Sequence, residues 1–174
     1  VTRSAAMAIG RKKIVGGNWK CNPTRAKALE LVDQLNAMDI GDVEVVVAPV
    51  ALHIPDVSSA LKRGIAVAAQ NCSFAGMGAY TGELAAEHLV NMDVGWVIIG
   101  HSERRTYFAE DDELLAKKLA RALELGLKVI FCIGEQREDR EKGTTMAVCR
   151  EQLKRVIPLL DPAKVVLAYE PVWA

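Results

Sequence analysis

The sequence predicts an α/β protein of about six strand–helix units built on a parallel sheet. Three observations predict it. Short, nearly continuous apolar runs alternate with helical patterns along the whole chain, few residues link one unit to the next, and polar residues stand where the apolar runs end. Near-continuous apolar strands are those buried on both faces, as in parallel sheets. Right-handed crossovers then follow from strand twist. Two architectures satisfy this pattern, an open doubly wound sheet and a (β/α)8 barrel. Periodicity does not choose between them. Asn18, Lys20, His101 and Glu170 at the C-terminal ends of strands favour the barrel, where those ends converge on one face. In an open sheet they would lie along a line.

Taken in order, residues 14–19 read as the first strand. Residues 25–38 have helical spacing through Ala28, Leu31, Val32 and Leu35, with Thr24 placed to cap them. Residues 43–48 form a second strand ended by Pro49, and residues 54–61 a short helix with Pro55 in its first turn. A third strand over 65–70 leads into a Gly-rich loop over 71–81 and a helix over 82–93. Residues 96–100 are the fourth strand, 102–107 a helical turn, and 113–125 a helix followed by Gly126 as its left-handed terminator. The fifth strand is 128–132. A helix over 145–160 is cut short by Pro158, and 164–169 is the last strand. The charged runs 110–113 and 136–142 read as solvated faces.

A chain of 174 residues is read as one domain. Residues 14–174 form the partial barrel domain, and residues 1–13 an N-terminal extension or tag remnant. Met7 is a candidate natural start, with residues 1–6 a tag remnant or the end of a transit peptide. The composition, 51% hydrophobic and 25% charged, is that of a globular protein rather than a disordered one. Lys+Arg and Asp+Glu both number 22, so no global field favours nucleic acid or an anionic membrane. No apolar run approaches the roughly 18 residues of a membrane helix. Cys21, Cys72, Cys132 and Cys149 are widely spaced without a Cys-x-x-Cys pair, which argues against structural zinc. No secretory signal is expected from the first residues, so reduced thiols and a cytoplasmic location follow, with a plastid as the alternative if residues 1–6 are a transit remnant.

Three stretches carry more than pattern: Gly17-Asn18-Trp19-Lys20, Gly100-His101-Ser102-Glu103-Arg104-Arg105 and Ala168-Tyr169-Glu170-Pro171-Val172-Trp173-Ala174. In this order, each at a strand end, they resemble the triosephosphate isomerase family across residues 14–174. The resemblance implies a (β/α)8 barrel. It also implies an isomerase of glycolysis and gluconeogenesis that interconverts dihydroxyacetone phosphate and D-glyceraldehyde 3-phosphate by proton transfer through an enediolate, without a metal or organic cofactor. In that family's pattern Glu170 is the base and Pro171-Val172-Trp173 the hinge of a lid. His101 is a neutral electrophile, its pKa lowered by the helix turn that follows it. Lys20 is the electrostatic residue, and Asn18 helps position Lys20 and the substrate oxygens. A Schiff-base lysine is chemically conceivable at Lys20, but the motif argues against it. Glu103 pairs with Lys20, Ser102 contacts Glu170, and Cys132 packs behind the base.

The same resemblance makes residues 70–82 an interdigitating loop of a homodimer. Gln70, Phe74, Met77 and Thr81 are its contact residues, with Cys21 beneath the loop of the second copy and a Glu83–Arg104 ion pair as a brace. A complete barrel takes about 250 residues, so roughly 75 residues carrying the last two strands are expected outside this sequence. A C-terminal companion fragment is one expectation, and a non-catalytic fragment awaiting those units is the alternative to an active isomerase.

Overall fold

The computed structural model describes residues 12–62 and 64–173. Six parallel strands form one sheet in chain order: β1 (Ile14–Asn18), β2 (Glu44–Ala48), β3 (Ile65–Ala69), β4 (Trp96–Ile99), β5 (Lys128–Ile133) and β6 (Val165–Tyr169). The helices are α1 (Arg25–Ala37), α2 (Ile54–Ala60), α3 (Ala86–Asn91), α4 (Ser102–Tyr107), α5 (Asp112–Glu124), α6 (Arg137–Glu141) and α7 (Thr145–Lys154). Residues 1–11 of the expected 1–13 extension, with the candidate start at Met7, lie outside the described residues. No helix among the described residues is long and apolar enough to cross a membrane.

Alternation along each strand builds two cores, because successive side chains leave opposite faces of a sheet. Val47, Val67, Val97, Ile99, Val129 and Phe131 face outward and pack with Val32, Val57, Leu89, Leu115 and Leu119 of the helices. Val46, Ala48, Ala68, Trp96, Ile98 and Cys132 face the other way and form a second, inner core. Two contacts prove that the sheet curls around that inner core. Lys128 of β5 places Nζ 3.1 Å from Oε1 of Glu44 on β2. A Cβ on Gly16 of β1 would lie 3.8 Å from Cδ1 of Ile130 on β5. In a flat sheet β2 and β5 would stand about 14 Å apart, three strand spacings. The architecture is therefore six strands of a (β/α)8 barrel rather than an open sheet. β1 and β6 do not pair with each other, and Val15 and Leu167 on their outer faces are 59% and 44% exposed.

Most element boundaries fall within a residue or two of expectation, for the expected reasons. Thr24 accepts a hydrogen bond from the Lys27 N–H, and Gly126 takes φ +82° after α5. Helix α7 stops at Lys154, and Pro158 lies in a separate 3-10 turn, Ile157–Leu159. Two expectations need correction. The helix expected over 82–93 forms only over Ala86–Asn91, because Gly82 is left-handed at φ +90° and the Leu84 carbonyl is taken by the Ser73 N–H at 2.8 Å. The run 110–113 is not a solvated face throughout. Glu110 is 5% exposed, held by Lys118 at 2.5 Å and Arg104 at 2.6 Å. The run 136–142 folds as the exposed helix α6.

Candidate active site

The inner face opens at the C-terminal strand ends into a cavity of about 410 Å³. Asn18, Lys20, His101, Cys132 and Glu170 all line it, although they come from four different strand ends.

Lys20 reaches the cavity through an unusual backbone, with φ +52°. A non-glycine residue holds such a conformation only when its surroundings over-determine it. Here the Asn18 Oδ1 accepts the Lys20 N–H at 2.9 Å. The Gln70 side-chain amide donates to the carbonyls of both Lys20, at 2.9 Å, and Ala48, at 2.8 Å. Lys20 Nζ lies 2.9 Å from Glu103 Oε1. That hydrogen bond, against a smaller opposing effect of burial, raises the Lys20 pKa, so the ammonium form is favoured.

His101 enters the cavity because Gly100 breaks the alternation. Ile98 faces inward and Ile99 outward, so a regular strand would send residue 101 outward. Gly100 has φ +80°, and a Cβ there would stand 3.0 Å from the Cys132 carbonyl oxygen. Only glycine fits both demands. Arg105 staples the same corner, donating to the carbonyls of Gly100 and Cys132 while pairing with Asp112. His101 caps α4: its Nδ1 accepts the Glu103 N–H at 3.2 Å. An accepting Nδ1 leaves the ring proton on Nε2, the nitrogen that faces the cavity. The Glu103 carboxylate also lies 3.5 Å from Nδ1, but it is shared with Lys20.

Glu170 continues the β5–β6 ladder past its last strand pair. Its N–H donates to Ile133 at 2.8 Å, and the Val172 N–H donates to Glu135 at 3.0 Å. Glu170 Oε2 sits 3.1 Å from His101 Nε2. The expected partner Ser102 makes no hydrogen bond to it; the imidazole takes that place. Gly134 lies against this segment so closely that a Cβ would overlap the Glu170 carbonyl group. Gly134→Ala is therefore expected to cost about 1–3 kcal/mol, as overpacking does, and to displace Glu170. A lowered thermal midpoint with impaired turnover checks it.

Cys132 is buried between the cavity and the sheet. Burial, with the Glu170 charge as a second cause, pushes its thiol up to about 12. Burial likewise pushes Cys72 to about 11. Unfolding returns both to the ordinary value of 9.0. The unfolded chain then releases protons that the folded one keeps, so the contribution is full below pH 9 and is lost as pH rises. The thermal midpoint is expected to fall between about pH 9 and pH 11, less steeply in Cys132→Ala than in wild type.

Four features had no recognisable sign in the sequence. Glu135 is 1% exposed and accepts hydrogen bonds from Tyr169 Oη, Trp173 Nε1 and Thr145 Oγ1. Burial pushes its pKa up, but these bonds and one from the backbone outweigh it, and the net shift is downward. Gln70, expected among the contact residues of the loop, instead turns its amide onto its own chain's Lys20 and Ala48. Arg104 pairs with Glu110 rather than Glu83. Cys72, Ser73 and Ala75 are buried and anchor the loop, while Phe74, Met77, Tyr80 and Thr81 are exposed.

Comparison with known proteins agrees with this geometry. The family model described as triosephosphate isomerase matches residues 13–174. The chain is 51% identical over 174 residues to the chloroplastic triosephosphate isomerase of Secale cereale, covering 99% of this chain and 58% of that protein. It is 50% identical over 170 residues to the cytosolic triosephosphate isomerase of Oryza sativa subsp. japonica, covering 95% and 67%. Against the triosephosphate isomerase of Coprinopsis cinerea it is 48% identical, covering 94% and 67%. The chain thus spans 58% to 67% of the length of these relatives. With three motif-bearing strand ends meeting in one cavity and a family match along nearly the whole sequence, the chain belongs to the triosephosphate isomerase family.

Proposed function

We propose that the full-length protein interconverts dihydroxyacetone phosphate and D-glyceraldehyde 3-phosphate, and that Glu170, His101, Lys20 and Asn18 carry the reaction. The observation that carries this reading is the pairing of His101 Nε2 with Glu170 Oε2 at 3.1 Å, beside the Lys20 ammonium in one cavity. A base and a hydrogen-bond donor so placed can straddle a carbonyl and the carbon next to it. Glu170 removes a proton from that carbon, and the C–H electrons form the enediolate double bond. Charge develops on the carbonyl oxygen, where the His101 Nε2–H donates and Lys20 supplies a fixed positive charge. The proton of the neighbouring hydroxyl is transferred to the former carbonyl oxygen. The half-exposed protonated Glu170, which exchanges its proton with solvent, delivers a proton to the former carbonyl carbon, leaving the new C=O on the carbon that lost hydrogen. Asn18 acts by holding the Lys20 backbone. Cys132 supports the base by packing alone, since a thiol held protonated is a poor nucleophile.

The substrate assay tests this reading. The full-length protein should turn over either triose phosphate, and a folded full-length protein without turnover would overturn it. One observation favours a second reading for residues 1–174 alone. β1 and β6 do not pair with each other, and residues of both line the cavity. On that reading this stretch carries the side chains but needs the remaining length found in its relatives to enclose the substrate. The same assay on residues 1–174, with and without the remaining polypeptide, separates the two.

The partner is a second copy of the chain, joined through the 71–81 loop. Exposed Phe74, Met77 and Tyr80 on a loop with a buried base support this. Met77→Lys with Phe74→Asp should shift the full-length protein from dimer to monomer in light scattering. Relatives named cytosolic and chloroplastic are about equally similar. The cytosol is the proposed compartment and a plastid the alternative.

A further inference from the structure

Glu170 owes its position to backbone, and that backbone is held by a side chain outside the cavity. In a parallel ladder the residues of one strand bond alternately to its two neighbours. Ile133 and Glu135 accept the N–H groups of Glu170 and Val172, on the β6 side. Gly134 between them turns its N–H and C=O to the other side. There β4 has already ended at Ile99 and the chain has entered α4, so no strand remains to receive them. A polar backbone pair without partners at a buried site would cost free energy, and buried backbone groups are almost always paired.

Gln152 of α7 supplies the missing partner. Its Oε1 accepts the Gly134 N–H at 2.9 Å, and its Nε2 donates to the Gly134 carbonyl at 2.9 Å. One side-chain amide thus makes both bonds that a neighbouring strand would make. Gly134 also lies against the main chain that carries the base, since a Cβ there would run into the backbone carbonyl group of Glu170 and Cα of Pro171. Any rotation of the Gly134 peptide is therefore passed to Glu170 at contact distance. Thr145 at the other end of α7 reaches Glu135 at 3.2 Å, so the helix fixes two successive residues of the template.

We infer that Gln152 is a positioning residue: its amide locks the Gly134 peptide and thereby sets where the Glu170 carboxylate stands. This rests on the proposed role of Glu170 as base. Gln152 touches no substrate, so its loss acts on the approach of base to carbon and leaves substrate binding in place. The expected signature is a fall in kcat with little change in KM.

The test uses full-length protein carrying Gln152→Leu or Gln152→Glu. Gln152→Leu removes both bonds at similar volume. It should lower kcat by about 10- to 100-fold, the scale of an ångström-sized misplacement, while KM stays within about twofold. Amide hydrogen exchange at Glu170 and Val172 should quicken while β2 and β3 keep their protection. Gln152→Glu offers rescue. As a carboxylate it accepts from the Gly134 N–H but confronts the Gly134 carbonyl; once protonated it can donate to that carbonyl again. Its kcat relative to wild type should therefore rise as pH falls. Wild-type kcat and exchange in folded Gln152→Leu would overturn the inference. If that variant does not fold, a Gln152→Glu protein with wild-type kcat and an unchanged pH profile overturns it equally. Should wild type itself show no turnover, the isomerase reading fails, yet the exchange at Glu170 and Val172 still decides whether Gln152 holds the segment.

Discussion

Glu170→Gln in the full-length protein is expected to lower kcat by about 10²- to 10⁴-fold, the range that a positioned general base supplies. KM should change by no more than a few-fold, because the amide keeps nearly the shape of the carboxylate and only proton transfer is lost. The main-chain bond from Glu170 to Ile133 does not involve the side chain, so β6 should keep its place. Glu170→Asp should be impaired as well, by about 10²-fold, since a carboxylate drawn back by one methylene sits too far from the reacting carbon. Glu138→Gln on the exposed helix α6 is the control and should leave kcat unchanged. Steady-state kinetics in both directions measure all three, and a loss in Glu138→Gln equal to that in Glu170→Gln would remove the assignment.

The second large effect is expected at Lys20. Lys20→Met keeps the length of the side chain but deletes its charge, and should lower kcat/KM by about 10²- to 10³-fold, as loss of a preorganised charge stabiliser does. It also strands Glu103, whose carboxylate then stands 3.5 Å from His101 Nδ1 without its cation. Because Glu103 raises the Lys20 pKa, the amine is held as an ammonium, which is unsuited to imine formation. Borohydride treatment in the presence of substrate should therefore leave no adduct on Lys20. An adduct would replace the electrostatic role with a covalent one.

The sequence was legible where physics acts locally. Apolar runs of four to six residues gave the strands, Thr24 and Gly126 marked helix ends, and Pro158 marked where α7 could not continue. The Lys20–Glu103 pair could be foreseen because both residues lie within motifs that fix their strand ends. Contacts made across long sequence distance were not legible. Gln152 and Gly134 are 18 residues apart, and Gln70 and Lys20 are 50 apart. Neither glutamine differs in type or spacing from a surface residue. Glu110 looked solvated beside Asp111, Asp112 and Glu113, because burial there depends on Lys118 and Arg104 folding over it. The exposed outer faces of β1 and β6, by contrast, follow from the count of strand–helix units in the sequence, since six strands cannot close the ring.

The central claim is that Glu170 moves a substrate proton under the polarising influence of His101 and Lys20. Turnover of dihydroxyacetone phosphate in deuterated water tests it most directly, followed by NMR of the aldehyde product. Solvent deuterium at the carbon bearing the new C–H bond, formed at the catalytic rate by wild type and nearly absent with Glu170→Gln, is the predicted result. Labelling at the catalytic rate that survives Glu170→Gln unchanged, or product formed at full rate by Glu170→Gln, would contradict it.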